Sequence, residues 1–449
     1  MTFGSAICCL AVATLLDELF EWLAIPSIST GGGDPDDVRR AAEWAAQRVR
    51  AAGGTADLVT LGDGNPLVIG ELRAAREDAP TVLIYGHYDV QGPGSLDAWT
   101  SPPFQPTVRD GRVYARGAAD DKGNFLPLLH AACELAAAGT LPVNVRVLIE
   151  GEEEASSAAV AEWIRSDERM ADCAIVFDSG MADEQTPAIT LGLRGMIMVE
   201  LRVRTGVRDL HSGVYGGSAL NALHVLNAML AAVVPGPDGS LRAELRAGVQ
   251  PPSPAELESW QRLTPGDEVL SEVGGRPAYP GAAAGYYVRN GAEPALDVNQ
   301  VVGGEPRTVL PAAASAVLSL RLAPGQRAAE MGPVLEGLLR AAAPAGADVE
   351  IDLQLSDPSL FDAEAPALKL AVAAIERATG MTPALIRTGG SIPAVAELAA
   401  RGIPTVVTGF SLSDDAFHAP DESYRLESLE LGERTAHELY AALAELPAR

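Results

Sequence analysis

Thr81-Val-Leu-Ile-Tyr-Gly-His-Tyr-Asp-Val90 is the stretch on which the fold turns. Its first five residues are β-branched, apolar or aromatic, as a buried strand requires, and Gly86 closes the run just before His87 and Asp89. Two positions apart on an extended segment, His87 and Asp89 project to the same side. An imidazole able to ligate a metal thus stands beside a carboxylate able to orient it. A lone His-x-Asp at a strand end more often makes a structural hydrogen bond, so its meaning rests on what else converges there.

Working outward, strands and helices alternate. The apolar residues 6–16 run into the amphipathic Asp17-Glu-Leu-Phe-Glu-Trp-Leu and read as a first helix rather than a signal core, since no Lys or Arg precedes them. Asp34 caps a helix with Pro35 at its first position, stopped near residue 52 by Gly53-Gly54. Strands are expected at 56–61, 67–72, 143–150 and 174–178, helices at 123–138 and 156–165, and a two-residue hairpin at Asp110-Gly111. This alternation predicts an α/β sheet with ligands gathered outside its strand ends.

After Gly195 the texture changes. Residues 196–204 and 316–322 alternate as half-exposed strands do, helices are expected at 219–233 and 328–342, and a strand at 349–355. Residues 235–304 read as loop with one helix near 254–263. A second, α+β domain at 194–358 is therefore expected inside the first, which 1–193 and 359–449 compose, the latter through elements at 366–378, 404–407 and 426–446.

The chain of 449 residues is nearly half hydrophobic, enough for two or three domains with real cores. A formal net charge of -27 excludes a phosphate-neutralising track and disfavours anionic membranes, and no apolar run reaches spanning length. Neither nucleic acid nor membrane is an expected partner. Cys8, Cys9, Cys133 and Cys173 show no metal spacing and no disulfide framework, which suits a reducing, cytoplasmic compartment. Lysine is confined to Lys122 and Lys369, which makes Lys122, inside a motif, conspicuous.

Four further stretches carry acidic or imidazole groups at strand ends or tight turns: Arg116-Gly-Ala-Ala-Asp-Asp-Lys-Gly123, Glu150-Gly-Glu-Glu-Glu154, Phe177-Asp178-Ser-Gly180 and Asp414-Asp-Ala-Phe-His-Ala-Pro420. Singly, each is explained as a helix cap, a solvated turn or a surface histidine. Jointly they crowd carboxylates at one sheet edge, which is costly unless a cation neutralises them. His87 and His418 with three or four carboxylates suit Zn²⁺, with Mn²⁺ as the alternative and Ca²⁺ or Mg²⁺ disfavoured. A shared carboxylate between two metals at about 3.5–4 Å, with one carboxylate left to act on water, completes the expectation.

These motifs, in this order, resemble the zinc-dependent aminoacylase/carnosinase metallopeptidases, which include carboxypeptidase G and succinyl-diaminopimelate desuccinylase. The resemblance spans essentially the whole chain. It implies that Asp120 bridges two metals, that His87 and Asp178 complete one, and that Glu154 and His418 complete the other. It further implies that Asp89 steers His87, that Glu153 is the general base with Glu152 a spacer, and that Asp120 and Asp121 are joined by a cis peptide.

Asp209-Leu-His-Ser-Gly-Val-Tyr-Gly-Gly-Ser218 is similar to the carnosinase-type dipeptidase branch. There the residue matching His211 stabilises the oxyanion in the active site of a second subunit, so a homodimer is implied, with residues 194–358 as lid and dimerisation domain. The same comparison selects Thr308, Arg321 and Ser391 for substrate binding, Arg321 as the fork for a substrate carboxylate. His130, His224 and His437 lie in helical patterns and are assigned to packing or surface. One departure is Asp421 before Glu422, where the branch usually has Asn; a carboxylate there bears on the surroundings of His418.

The expectation is a two-metal hydrolase acting on dipeptides or short peptides with a free C-terminal carboxylate, Glu153 acting on a metal-bridging water. Its rivals are N-acyl-amino-acid deacylation, carboxypeptidase or desuccinylase chemistry, and, in another class, a non-catalytic metal- or peptide-binding protein.

Overall fold

In the computed structural model, which describes residues 14–447, Thr81–His87 is a strand buried along nearly all its length. It lies between Asn144–Glu150 and Cys173–Phe177, parallel to both, and His87 pairs in register with Glu150. Three strands therefore end at one edge, where polar groups are delivered together. Leu67–Leu72 and then Thr55–Val59 continue the sheet antiparallel on one side, and Thr405–Thr408 follows Cys173–Phe177 on the other. The expected hairpin forms between Thr107–Arg109 and Arg112–Tyr114, with both turn residues at positive φ (46° and 76°), as this short turn demands.

Helices cover the sheet. Pro35–Ala51 begins where Asp34 accepts the Asp36 N–H, and it packs on the two outer strands. At Leu15–Leu23 the Thr14 hydroxyl accepts the Asp17 N–H while Asp17 takes the Thr14 N–H, a reciprocal cap that starts the helix at Leu15. Residues 6–13 of the expected first helix, with Cys8 and Cys9, lie outside the described residues. Lys122 anchors that helix: its buried ammonium donates to Trp22 O and Ile25 O, and burial lowers its pKa to about 7.

Helix Lys122–Ala137 lies against the central strand. Its approach is so close that a Cβ on Gly86 would stand 2.3 Å from Phe125 Cδ2 and 2.9 Å from Asp121 Oδ2. Glycine is required there by space, not by turn geometry.

The chain packs as two units. Among the described residues, one holds 14–187, Lys369–Thr382 and 406–447; the other holds Ala188–Leu368 and Pro383–Thr405. The second contains a four-stranded antiparallel sheet in the order Ala295–Gly303, Ala313–Leu322, Gly195–Arg204, Asp348–Ser356. Ile197, Val199, Leu201 and Val203 point to a core closed by helices Ala222–Ala231 and Ala328–Ala342. The packing differs from the sequence-based division at residues 188–193, 359–368 and 383–405, the strand Ala384–Thr388 pairing with Ala188–Leu193 in the second unit. Ala295–Gly303 falls in the stretch expected to be loop. It is an edge strand, exposed along most of its length, so burial imposes no alternating pattern on its residues. Among the described residues no helix is long and apolar enough to cross a membrane.

Gly86→Ala is expected to cost about 1–3 kcal/mol through overpacking against Phe125. A lowered urea midpoint at unchanged slope is the measurement.

Candidate metal centre

His87, at the end of the central strand, is fully buried. Its Nδ1 lies 3.1 Å from the Asp89 carbonyl and 3.4 Å from Asp89 Oδ1, and its Nε2 lies 3.1 Å from Asp120 Oδ1. On the other side of Asp120, His418 Nε2 lies 3.0 Å from Oδ2 and 3.1 Å from Glu154 Oε2. Each oxygen of one carboxylate thus faces its own imidazole. His87, Asp120 and Asp178 form one group, and Asp120, Glu154 and His418 a second, each with ligand atoms within 4.8 Å of one another. A cavity lined by Asp120, Asn124, Asp178, Ser411 and Phe417 opens beside them.

The supports explain how these groups hold still. Asp89, buried, accepts the Ser29 hydroxyl at 2.6 Å and the backbone N–H groups of Glu153 and Glu154 at 3.3 and 3.2 Å. It therefore fixes the glutamate run as well as His87. Within that run Glu152 turns away to accept the Asn65 N–H, while Glu154 faces His418 and accepts from Gln91. The peptide between Asp120 and Asp121 is cis.

Electrostatics supply the test of fit. Burial, then the neighbouring carboxylates, pushes Asp178 up to about 7 and Glu153 up to about 9. Burial opposes ionisation of Asp120 too, yet its bonds to His418 and His87 hold it well below the usual carboxylate range. His418 is raised to about 10 by its contacts with Asp120 and Glu154. Protons on these imidazoles and carboxyls do what cations do, so the donor set fits a pair of divalent ions.

In the second unit, His211 and Thr308 lie together. The strand Leu210–His211 pairs antiparallel with Val309–Leu310, which Thr308 immediately precedes, and the Ser212 N–H donates to Thr308 O. His211 ends its strand exposed and caps a one-turn helix, its Nδ1 accepting the Gly213 N–H. Ser391 stands half-buried before helix Pro393–Ala400.

Several residues escaped the sequence reading. Glu422, buried, accepts N–H groups from Gly117, Ala119 and Asp120 and pairs with the buried Arg116 at 2.7 Å, so it cradles the loop that carries Asp120. Glu150, under the glutamate run, accepts from Tyr85 and Ser157 and is pushed up to about 8 by burial, which keeps it uncharged. In the second unit Arg321 stands opposite Met196, and Arg194, two residues earlier, shares that face. Arg194 is buried, its pKa lowered to about 10 by burial and then by Arg321. Among the described residues neither guanidinium has a carboxylate within ion-pair distance. Glu150 opens the glutamate stretch and Glu422 follows Asp421, but no neighbouring residue marks these supporting roles, and no local motif marks Arg194. Asp421, the departure noted in the sequence, points at Thr100, bonding its N–H and hydroxyl at 2.8 and 2.6 Å.

The sequence profile of Peptidase family M20/M25/M40 matches residues 83–442. The chain belongs to that family. This peptidase, a hydrolase by its membership, is 28% identical over 430 residues to a cysteinylglycine-S-conjugate dipeptidase of Corynebacterium striatum, covering 91% of each chain. It is 33% identical over 236 residues to the Beta-Ala-His dipeptidase of Rattus norvegicus, a match covering 49% of this chain and 48% of that protein. Its fold matches that of an M20 family metallo-carboxypeptidase from Sulfolobus solfataricus with a TM-score of 0.87 and 26% identity, over 97% of this chain and all of that one.

Glu422→Gln keeps volume but loses the charge opposite Arg116. Metal affinity is expected to fall about 10- to 100-fold with the fold retained, as measured by titrating the metal-free protein.

Proposed function

We propose that this peptidase is a two-metal dipeptidase, hydrolysing the amide bond of dipeptides or short peptides with a free C-terminal carboxylate. The observation that carries the reading is Asp120, whose two oxygens face His87 and His418 within overlapping ligand groups. The names of the two dipeptidase relatives support the substrate class.

His87 and Asp178 would hold one cation, Glu154 and His418 the other, with Asp120 between them. The nitrogen and oxygen donors suit Zn²⁺, with Mn²⁺ as the alternative. When bound, such a pair polarises the scissile carbonyl and lowers the pKa of water.

The chain's own groups do the rest. Glu153 belongs to neither ligand group and is raised by its surroundings, so it suits the removal of a proton from water and its delivery to the leaving amine. Asp89 positions both His87 and the Glu153 backbone. Arg321, with Arg194 beside it, offers unpaired guanidinium charge for the substrate carboxylate. His211, with Thr308 next to it, is a donor for the developing oxyanion, and Ser391 a further substrate contact. A homodimer in which His211 serves a second subunit belongs to this reading. So does a cytoplasmic location, which the lack of a cysteine framework supports.

The fold match to a metallo-carboxypeptidase favours a second reading, the removal of single residues from longer peptides, with N-acyl-amino acids as related substrates. A panel of dipeptides, longer peptides and acetylated amino acids decides between them; turnover confined to the last two overturns the dipeptidase assignment.

Glu153→Gln is expected to retain metal while kcat falls about 10²–10⁴-fold, whereas Asp120→Ala is expected to lose metal. Full activity in Glu153→Gln would refute the assigned base. Arg194→Lys, which keeps the charge but not the planar fork, is expected to raise KM with little change in kcat, and to erase the preference for a free carboxylate over its amide. An unchanged preference removes Arg194 from the substrate site.

A further inference from the structure

Helix pairing brings together two of the histidines that the sequence assigned to packing or surface. His130 and Glu134 are four apart on helix Lys122–Ala137, and Glu433 and His437 are four apart on helix Leu426–Leu443. That spacing puts each pair on one helix face, and the two helices pack against each other.

Ligand atoms of His130, Glu134 and Glu433 consequently lie within 4.8 Å of one another, and His437 Nε2 lies 3.4 Å from Glu134 Oε2. None of these residues belongs to the groups around Asp120. His130 is eight residues into its helix from Lys122, about 12 Å along the axis.

Two further observations point to a ligand. His130 Nδ1 lies 3.0 Å from Glu18 Oε2, and Glu18 is itself buried and paired with Arg48. With Nδ1–H donating to Glu18, the tautomer is fixed and the Nε2 lone pair is left to face Glu433, 3.9 Å away. This is how a carboxylate prepares an imidazole for a metal. A cavity lined by Leu15, Leu16, His130, Glu134, Glu430 and Glu433 gives an ion room.

Charge completes the case. Arg48 already neutralises Glu18, and among the described residues neither Glu134 nor Glu433 has a Lys or Arg within ion-pair distance. Two carboxylates therefore share two imidazoles and nothing else.

We propose that His130, Glu134, Glu433 and His437 form a separate structural site for a divalent cation of the Zn²⁺ type, clipping the two helices together. Two nitrogens and two carboxylate oxygens make a four-coordinate set of the kind Zn²⁺ takes. The site is remote from the chemistry, so its loss is expected to lower thermal stability in Zn²⁺ and to leave peptide turnover unchanged.

The test is metal content. The whole protein, stripped of metal, dialysed against Zn²⁺ and measured by mass spectrometry, is expected to hold one more equivalent per chain than Glu433→Gln treated alike. The rise in Tm on adding Zn²⁺ is expected to shrink in the variant. His437→Gln, at a half-exposed position, is the second variant and is expected to weaken the same equivalent. Equal Zn²⁺ content in the wild type and both variants overturns the proposal, as does a loss of turnover that follows the missing ion. Because the measurement is a difference, it stands whatever the centre at Asp120 holds.

Discussion

The Asp120 carboxylate, set between two imidazoles with one oxygen to each, is the interaction around which the first unit is arranged. An acid in that position must be held from several directions. Parallel strands ending in register bring His87, the glutamate run and Asp178 to one edge, and Asp89 ties the first two together through its bonds to backbone N–H groups. Glu422 holds the aspartate's own loop. The sheet supplies direction and the buried acids supply precision.

Charge is graded through these layers. Asp120, partly exposed, stays ionised between its two histidines, whereas Glu150, fully buried at the end of the neighbouring strand, is pushed up to about 8 and stays neutral. A second full charge beneath the glutamate run would repel the groups it supports. As a neutral acid bonded to Tyr85 and Ser157, it braces them without adding to the field.

How much of this a sequence displays depends on how local the cause is. The central strand, the Asp34 cap, the Asp110-Gly111 hairpin and the alternating strand before Arg204 each follow from neighbours in the chain, and each forms. The candidate ligands were legible for the same reason: they sit at strand ends or in tight turns whose composition announces them. Glu422, Arg194 and the contacts of His130 and His437 across their packed helices depend on partners far away in sequence, and nothing beside them in the chain marks the partner. The edge strand Ala295–Gly303 was hidden because exposure removes the pattern by which strands are recognised. Residues 383–405, which the sequence placed in the first domain, have the helix and strand character of either unit, so composition could not separate them.

The grip of Glu422 on the Asp120 loop joins positions 302 residues apart. During synthesis the sheet edge with His87, Glu154 and Asp178 has left the ribosome long before His418 and Glu422 are translated. Until those residues emerge, the nascent chain carries an open, acid-rich edge. Assembly of the centre thereby waits on chain made about 300 residues after the aspartate it holds.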